Sequence, residues 1–267
     1  MLEATTVQVL ERAGRSKDDI DAIVVVSTTG IATPSLDALL IDRMGLRATV
    51  RRLPIFGLGC AGGVIGLARA ASQAVTAPGE TVLFLVVELC ALSFRRDDFS
   101  KSNIVATALF GDGAAGALLS TEGDGPAVIA AGEYTWPGSL DVMGWEVADD
   151  GLSAIFSRDI PQLVAGRFRA VAAEFLARHD LAIDDIDRFV CHPGGAKVVA
   201  ALENAFGLKP GALAGARAVL RDFGNMSAAT VMFVLDRMLN ERRPWRRTLM
   251  NALGPGFTAG FVVLDNR

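Results

Sequence analysis

The stretch Lys17–Gly30 reads KDDIDAIVVVSTTG, and a variant of it returns at Ile183–Gly195 as IDDIDRFVCHPGG. Each copy is an acidic turn, a short apolar run of strand character and a polar, glycine-containing end. A helical pattern precedes each, EATTVQVLERAG before the first and LVAGRFRAVAAEFLARH before the second. Downstream the two tracts stay in step. GLGCAGGVIGLARAASQAV and DFGNMSAATVMFVLDRML each turn through glycine into an apolar helix, carrying Cys60 in one and Asn225 at the matching place in the other. ALFGDGAAGALLS (Ala108–Ser120) and NALGPGFTAGFVVLD (Asn251–Asp265) both read as a G-x-G turn leading into a terminal strand. Such self-similarity implies a duplicated unit. The alternation of strand and helix predicts an α/β fold with two similar sheets, divided as 1–122 and 123–267.

The second copy has something the first does not. PAVIAAGEYTW and a long connection through WEVADDGLSAIFSRDI come before its helix, whereas the first copy opens directly on the helix. By the chain's own symmetry the N-terminal half is expected to be incomplete, short of a first strand and its connection. That describes either a shortened natural variant or a chain cut short at its start.

Bulk properties narrow the function. The 267 residues are 51% hydrophobic but only 7% aromatic, so the core is expected to be built from small aliphatic side chains in close contact. A net charge of -4, with Lys and Arg scattered along the chain, argues against nucleic-acid binding. Runs such as AIVVV and TVLFLVV fall far short of the roughly 20 residues that span a bilayer. MLEATTVQVLERAG lacks a signal-peptide pattern, so a cytoplasmic protein without membrane insertion is expected. Cys60, Cys90 and Cys191 form no CxxC pair, which suggests neither a zinc site nor a disulfide framework. His179 and His192 are the only histidines, so the choice of an imidazole base is narrow.

Three residues carry the chemical reading. Cys60 falls where a helix begins, and free N–H groups there stabilise a thiolate and are expected to lower its pKa. Standing alone, it reads more readily as a small apolar filler of a crowded turn. His192 lies at a strand end in CHPGG, where ligands collect in open α/β sheets, and its imidazole is placed either to take a proton from Cys60 or merely to cap a loop. Asn225 follows a glycine before a helix, which also suits an N-cap. The repeat, however, sets Asn225 opposite Cys60, and His192 lies at the matching strand end. Cys, His and Asn are thereby expected to converge from three strand ends.

The motifs GLGCAGG, CHPGG, DFGNMSA, ALFGDGAA and ALGPGFTAG, in this order and spacing, resemble the type III polyketide synthases of the thiolase superfamily, the group that includes chalcone synthase. Ketoacyl synthase III enzymes share a Cys-His-Asn set, but their histidine opens an HQAN-like motif where this chain has HPGG. The resemblance implies a thiolase-like fold of two pseudo-symmetric halves, each with a five-stranded sheet, in five αβαβα layers. It implies a malonyl-CoA-dependent acyltransferase in which Cys60 is acylated by an acyl-CoA starter. His192 and Asn225 would polarise the malonyl thioester, so that decarboxylation leaves an enolate that attacks the Cys60 ester, repeatedly, until the chain cyclises. No cofactor is implied beyond coenzyme A thioesters as substrates, and a homodimer is expected.

Further positions follow from the same resemblance. Phe110 matches a gatekeeper phenylalanine between the coenzyme A tunnel and the cavity. Cys90, Ser93 and Ser227 match cavity-wall residues, and Gly254, Pro255, Gly256 and Phe257 match the loop that shapes the pocket. Thr33 matches a residue reaching toward a partner subunit's cavity. Cys90 departs from the threonine usual in plant chalcone synthases, and VELCALSFRRDDFS looks more like bacterial enzymes that take fatty acyl starters to alkylpyrones or alkylresorcinols. The family's further N-terminal part supplies a strand and basic residues for the coenzyme A phosphates. The second reading is therefore a non-catalytic or partner-dependent thiolase-fold subunit.

Overall fold

A computed structural model describes residues 1–149, 151–157 and 159–266. The first half runs through α1 (Leu2–Ala13), β1 (Ile20–Val26), α2 (Leu36–Met44), β2 (Arg51–Ile55), α3 (Gly62–Thr76), β3 (Thr81–Leu89), α4 (Lys101–Leu109) and β4 (Asp112–Leu119). The second comprises β5 (Ala127–Thr135), a hairpin of β6 (Met143–Ala148) and β7 (Gly151–Phe156), α5 (Ile160–Leu163), α6 (Arg169–Ala177) and β8 (Arg188–Cys191). It ends with α7 (Ala196–Phe206), α8 (Ala214–Phe223), α9 (Thr230–Leu239), β9 (Arg247–Gly254) and β10 (Thr258–Asp265). One π-helical turn, Val164–Phe168, joins α5 to α6 within the stretch expected to be a single helix.

The two sheets follow the repeat. In the first, the order is β2-β1-β3-β4, with β1 parallel to β2 and β3, and β4 antiparallel. In the second, the order is β5-β10-β9-β8, with β8 parallel to β9 and β10 antiparallel to both its neighbours. Thus β1, β3 and β4 correspond to β8, β9 and β10. Side-chain alternation sorts the layers. On β1, Ile23 and Val25 face the outer cluster with Leu10 and Leu40, while Val24 and Val26 face the central one with Val64, Phe84 and Val231. On β10, a Cβ on Gly260 would meet Ile65 of α3 at 2.7 Å, whereas Phe261 stacks on Phe175 of α6 at 5.1 Å. Helices α3 and α9 therefore lie between the sheets, giving the five αβαβα layers.

Each of the two large sheets has four strands among the described residues, which for the first half is the shortfall expected from the repeat and for the second is one fewer than the five expected. Two local differences account for this. The outer edge of β10 is paired by β5, while β4 has no such neighbour among the described residues and is correspondingly half-exposed. Conversely, the place of β2 is taken in the second half by α8. RRLPI carries a proline that has no N–H for a helix, whereas AGARAVLRDF is rich in Ala, Leu and Arg, strong helix formers.

Candidate active site

Cys60 lies in a 3-10 turn, Gly59–Ala61, that runs directly into α3, and its counterpart turn Ser227–Ala229 runs into α9. The two turns touch because α3 has no side chain at Gly63. A Cβ there would lie 2.2 Å from the Ala228 carbonyl oxygen. Cys60 Sγ consequently sits 3.9 Å from Asn225 Oδ1 and 3.8 Å from Ser227 Oγ. The 254–257 loop closes in from the second sheet, where a Cβ on Gly254 would lie 2.3 Å from the Leu58 carbonyl.

His192 extends β8, donating its backbone N–H to Asn251 O at 2.9 Å. Cys60, His192 and Asn225 line one cavity of about 50 Å³, with Met143, Ile160 and Leu253 among its other walls. The three strand ends expected to converge do so. The Asn225 amide has a fixed orientation: Oδ1 accepts from Ser227 N at 2.9 Å and from Thr230 Oγ1 at 3.4 Å, while Nδ2 faces Gly194 O at 3.4 Å. Both ring nitrogens of His192 are buried and have no hydrogen-bond partner among the described residues.

Electrostatics differ from the expectation in one respect. Rather than being lowered at a helix start, the Cys60 thiol is pushed up to about 12, chiefly by burial, with the Glu88 carboxylate adding to it. Cys60 sits in the turn before α3, among neutral oxygens, so desolvation of the thiolate outweighs the helix terminus. Burial likewise pulls His192 down to about 4. At neutral pH the closed site therefore holds a neutral thiol beside a neutral imidazole, which is the base form.

A buried carboxylate completes the arrangement. Glu88, at the end of β3, accepts from the backbone N–H groups of Thr28 and Thr29, from Thr29 Oγ1 at 2.6 Å, and from Ser227 Oγ at 3.4 Å. Gly59 N in turn donates to Thr28 Oγ1 at 2.8 Å. One carboxyl group thus ties the end of β1, the Cys60 turn and the Asn225 turn together. Burial raises the pKa of Glu88 against these hydrogen bonds. Sequence reasoning missed it, although an acid closing the otherwise apolar strand TVLFLVVEL was a signal in plain view.

The remaining candidates separate into groups. Phe110, Ser227 and Pro255 line a second small space at Cys60, about 20 Å³, with Met143, Gly144 and Trp145. Cys90, Ser93 and Phe110 line a pocket of about 320 Å³ with Ala91, Phe94, Ala106 and Thr107. Phe110 is common to both. Phe257 is buried against Trp136, with ring centroids 4.9 Å apart, and Gly256 carries the turn to it at φ 70°. Thr33 lies in an exposed loop and lines neither space at Cys60. A larger cleft, about 750 Å³ around His179, Arg246 and Asp265, holds none of the candidate residues, so volume alone does not find this site. Among the described residues no cluster of three or more His, Cys, Asp or Glu is placed to hold a metal, and no helix is long and apolar enough to cross a membrane.

With this geometry in place, the chain's relatives are informative. The family model for chalcone and stilbene synthases matches twice, its N-terminal domain over residues 1–123 and its C-terminal domain over 128–266. The 1,3,6,8-tetrahydroxynaphthalene synthase of Streptomyces peucetius subsp. caesius is 42% identical over 264 residues, covering 96% of this chain and 70% of that protein. The 3,5-dihydroxyphenylacetyl-CoA synthase of Amycolatopsis balhimycina is 32% identical over 263 residues, with coverage of 96% and 70%. In structure, the 1,3,6,8-tetrahydroxynaphthalene synthase of Streptomyces coelicolor A3(2), a bacterial type III polyketide synthase, superposes with a TM-score of 0.93 at 29% identity, covering 99% of this chain and 76% of that one.

Proposed function

This chain belongs to the chalcone and stilbene synthase family of type III polyketide synthases, and from that premise we propose that it is an acyltransferase that loads a fatty acyl-CoA starter on Cys60 and extends it with malonyl-CoA. The observation that carries this reading is the single cavity shared by Cys60, His192 and Asn225.

In the loading step neutral His192 takes the Cys60 proton as sulfur attacks the starter thioester, and the coenzyme A thiolate leaves with that proton. His192 and the Asn225 amide then hydrogen-bond the malonyl thioester oxygen. Loss of carbon dioxide leaves an enolate held by two donors in a site that excludes water. The enolate carbon attacks the Cys60 thioester, a carbon–carbon bond forms, and the Cys60 sulfur is released for the next loading. An amide suits this place because it donates a hydrogen bond without competing as acid or base.

A fatty acyl starter is supported by the 320 Å³ pocket beyond Phe110, whose walls include Cys90, Ala91, Phe94 and Ala106. A second reading, an aromatic product made without a long starter, is favoured by the 42% identity to a tetrahydroxynaphthalene synthase. One experiment separates them: incubation with malonyl-CoA alone and with acyl-CoA starters of increasing length, products being read by mass spectrometry. Starter-dependent alkyl products that vanish in Cys60→Ala support the first reading; starter-independent products support the second. Neither carbon dioxide release nor Cys60 acylation under any condition would refute both. Gel filtration tests the homodimer proposed with this activity.

A further inference from the structure

A second recess lies at the opposite end of β9 from Cys60. Asn251, Ala252 and Leu253 of that strand line the Cys60 cavity, whereas Arg247, at its start, lines the cleft of about 750 Å³. Arg247 and Asn251 are about 13 Å apart along the strand, and the two spaces share no lining residue.

The walls of this cleft come from three places. On β5, Val128 pairs with Leu264 and Ala130 with Val263, which leaves Ile129 as the extra residue of a bulge that lines the cleft. After α6, the N–H groups of His179 and Leu181 both donate to Leu176 O, at 2.9 and 3.0 Å, and Asp180 turns between them at a φ of 56°. All three residues line the same space, and the His179 ring packs on Phe175 with centroids 5.1 Å apart. At β9, Asp187 Oδ2 accepts from the N–H groups of Arg246 and Arg247, at 2.9 and 2.8 Å, and so fixes the backbone that carries both guanidinium groups.

Charge is unevenly neutralised there. Arg247 Nε lies 3.3 Å from the buried Asp265 carboxylate and its Nη1 4.0 Å from Asp185, so two acids take up its charge. The Arg246 side chain is exposed and, among the described residues, makes no hydrogen bond or ion pair. Arg242 and Arg243, earlier in the same ERRPWRR segment, are likewise unpaired. Three unneutralised guanidinium groups within five residues, on a chain of net charge -4, form a local anion-attracting patch. The guanidinium fork matches phosphate in particular. Beside it, Ile129 and Leu181 offer apolar surface, His179 a flat ring, and Asp180 an acceptor for a hydroxyl group. The volume is that of a site for a small organic ligand.

We propose that this cleft binds a nucleoside diphosphate at a site separate from the Cys60 cavity, with Arg246 on the phosphates, His179 against the base and Asp180 on the ribose. The proposal does not depend on the reaction at Cys60. The intact protein is photolabelled with 8-azido-ADP, and the label is located by peptide mass mapping. It should fall on the peptides that carry residues 179–181 or Arg246, and ADP should protect them where adenosine or inorganic phosphate at the same concentration does not. In Arg246→Ala the affinity for ADP, measured by calorimetry, should fall by at least about tenfold, the loss expected of one hydrogen bond to a charged group. Arg246→Lys keeps the charge without the fork and should fall by less.

Label confined to other peptides, or an ADP affinity unchanged in Arg246→Ala, would overturn the proposal. Protection by inorganic phosphate equal to that by ADP would mean an anion patch with no nucleotide site, and equal protection by adenosine would remove the role of Arg246; either result overturns it as well. Should Arg246→Ala fail to fold by circular dichroism, Arg246→Lys and Arg246→Gln decide it by the same calorimetric comparison.

Discussion

Phe110 and Asn225 are joined backbone to backbone: Asn225 N donates to Leu109 O at 2.8 Å and Gly111 N donates to Asn225 O at 3.0 Å. The end of α4 and the turn before α9 are thereby one unit, so a displacement of the candidate catalytic amide carries with it Phe110, a wall of the 320 Å³ pocket. Gly224 makes the bridge sterically possible. Its φ of 72° and ψ of -166° fall in a region that only glycine occupies comfortably, and a Cβ there would lie 2.8 Å from Leu109 O. Gly224→Ala is expected to cost about 1–3 kcal/mol of stability, read as a lowered midpoint in urea. Condensation should fall more than Cys60 acylation, because the amide moves while the sulfur does not.

The pH dependence of stability should carry the signature of a buried neutral imidazole. Burial lowers His192 from 6.5 to about 4. Between those values the unfolded chain binds a proton that the folded one does not, so stability falls as pH drops through this window. The slope from this one group is at most about 1.4 kcal/mol per pH unit. Glu88 acts with the opposite sign, because its raised pKa keeps a proton on the folded form above 4.5. The two contributions are separated by comparing the protein with His192→Asn, whose stability should lose less on going from pH 6.5 to pH 4. At the alkaline end, Cys60, raised from 9.0 to about 12, makes stability decline above pH 9, and Cys60→Ala should flatten that decline. Urea midpoints across both ranges check each sign.

How much of this was legible in the chain depends on whether the contact lies inside the repeat. Cys60 and Asn225 could be paired because they hold matching positions in GLGCAGG and DFGNMSA, and His192 because it ends the strand matching β1. The roof over them was not legible. DVMGWEVADDGLSAIF belongs to one half only, and Trp145 meets Phe110 across the two halves, a contact that no local periodicity encodes. The fall of the Cys60 pKa was argued from a helix start, a local feature. Its rise comes from burial by residues distant in sequence, among them Glu88. The expectation of five strands per sheet came from the resemblance, and AGARAVLRDF, whose own composition favours a helix, overrode it in the second half.

Glu88 gives a test of how far the site is held together by one group. Replacing it with alanine strands the N–H groups of Thr28 and Thr29, each buried and each otherwise satisfied by the carboxylate. At about 1–3 kcal/mol per unsatisfied donor, Glu88→Ala should lose about 2–6 kcal/mol. Glu88→Gln keeps one acceptor oxygen and should lose less. If thermal melts rank the two variants equally, the carboxylate is not acting as an acceptor for these donors.

Gly63 tests the contact that brings the two halves' turns together. In Gly63→Ala the new methyl would sit 2.2 Å from the Ala228 carbonyl oxygen and 2.6 Å from Val231 Cγ1. Neither neighbour yields easily: the carbonyl belongs to the turn Ser227–Ala229, and Val231 is fully buried in the central cluster. Relief comes only by moving α3 away from α9, which draws Cys60 from Asn225. The expected loss is about 1–3 kcal/mol, the range for overpacking a close-packed core. Gly215→Ala is the control, since Gly215 lies in α8 with no atom within 4 Å of the added Cβ. There the better helix propensity of alanine should leave stability unchanged or raise it by up to about 1 kcal/mol. A Gly63→Ala protein with unaltered midpoint and unaltered Cys60 alkylation would mean that the approach of the two turns does not set the spacing of sulfur and amide.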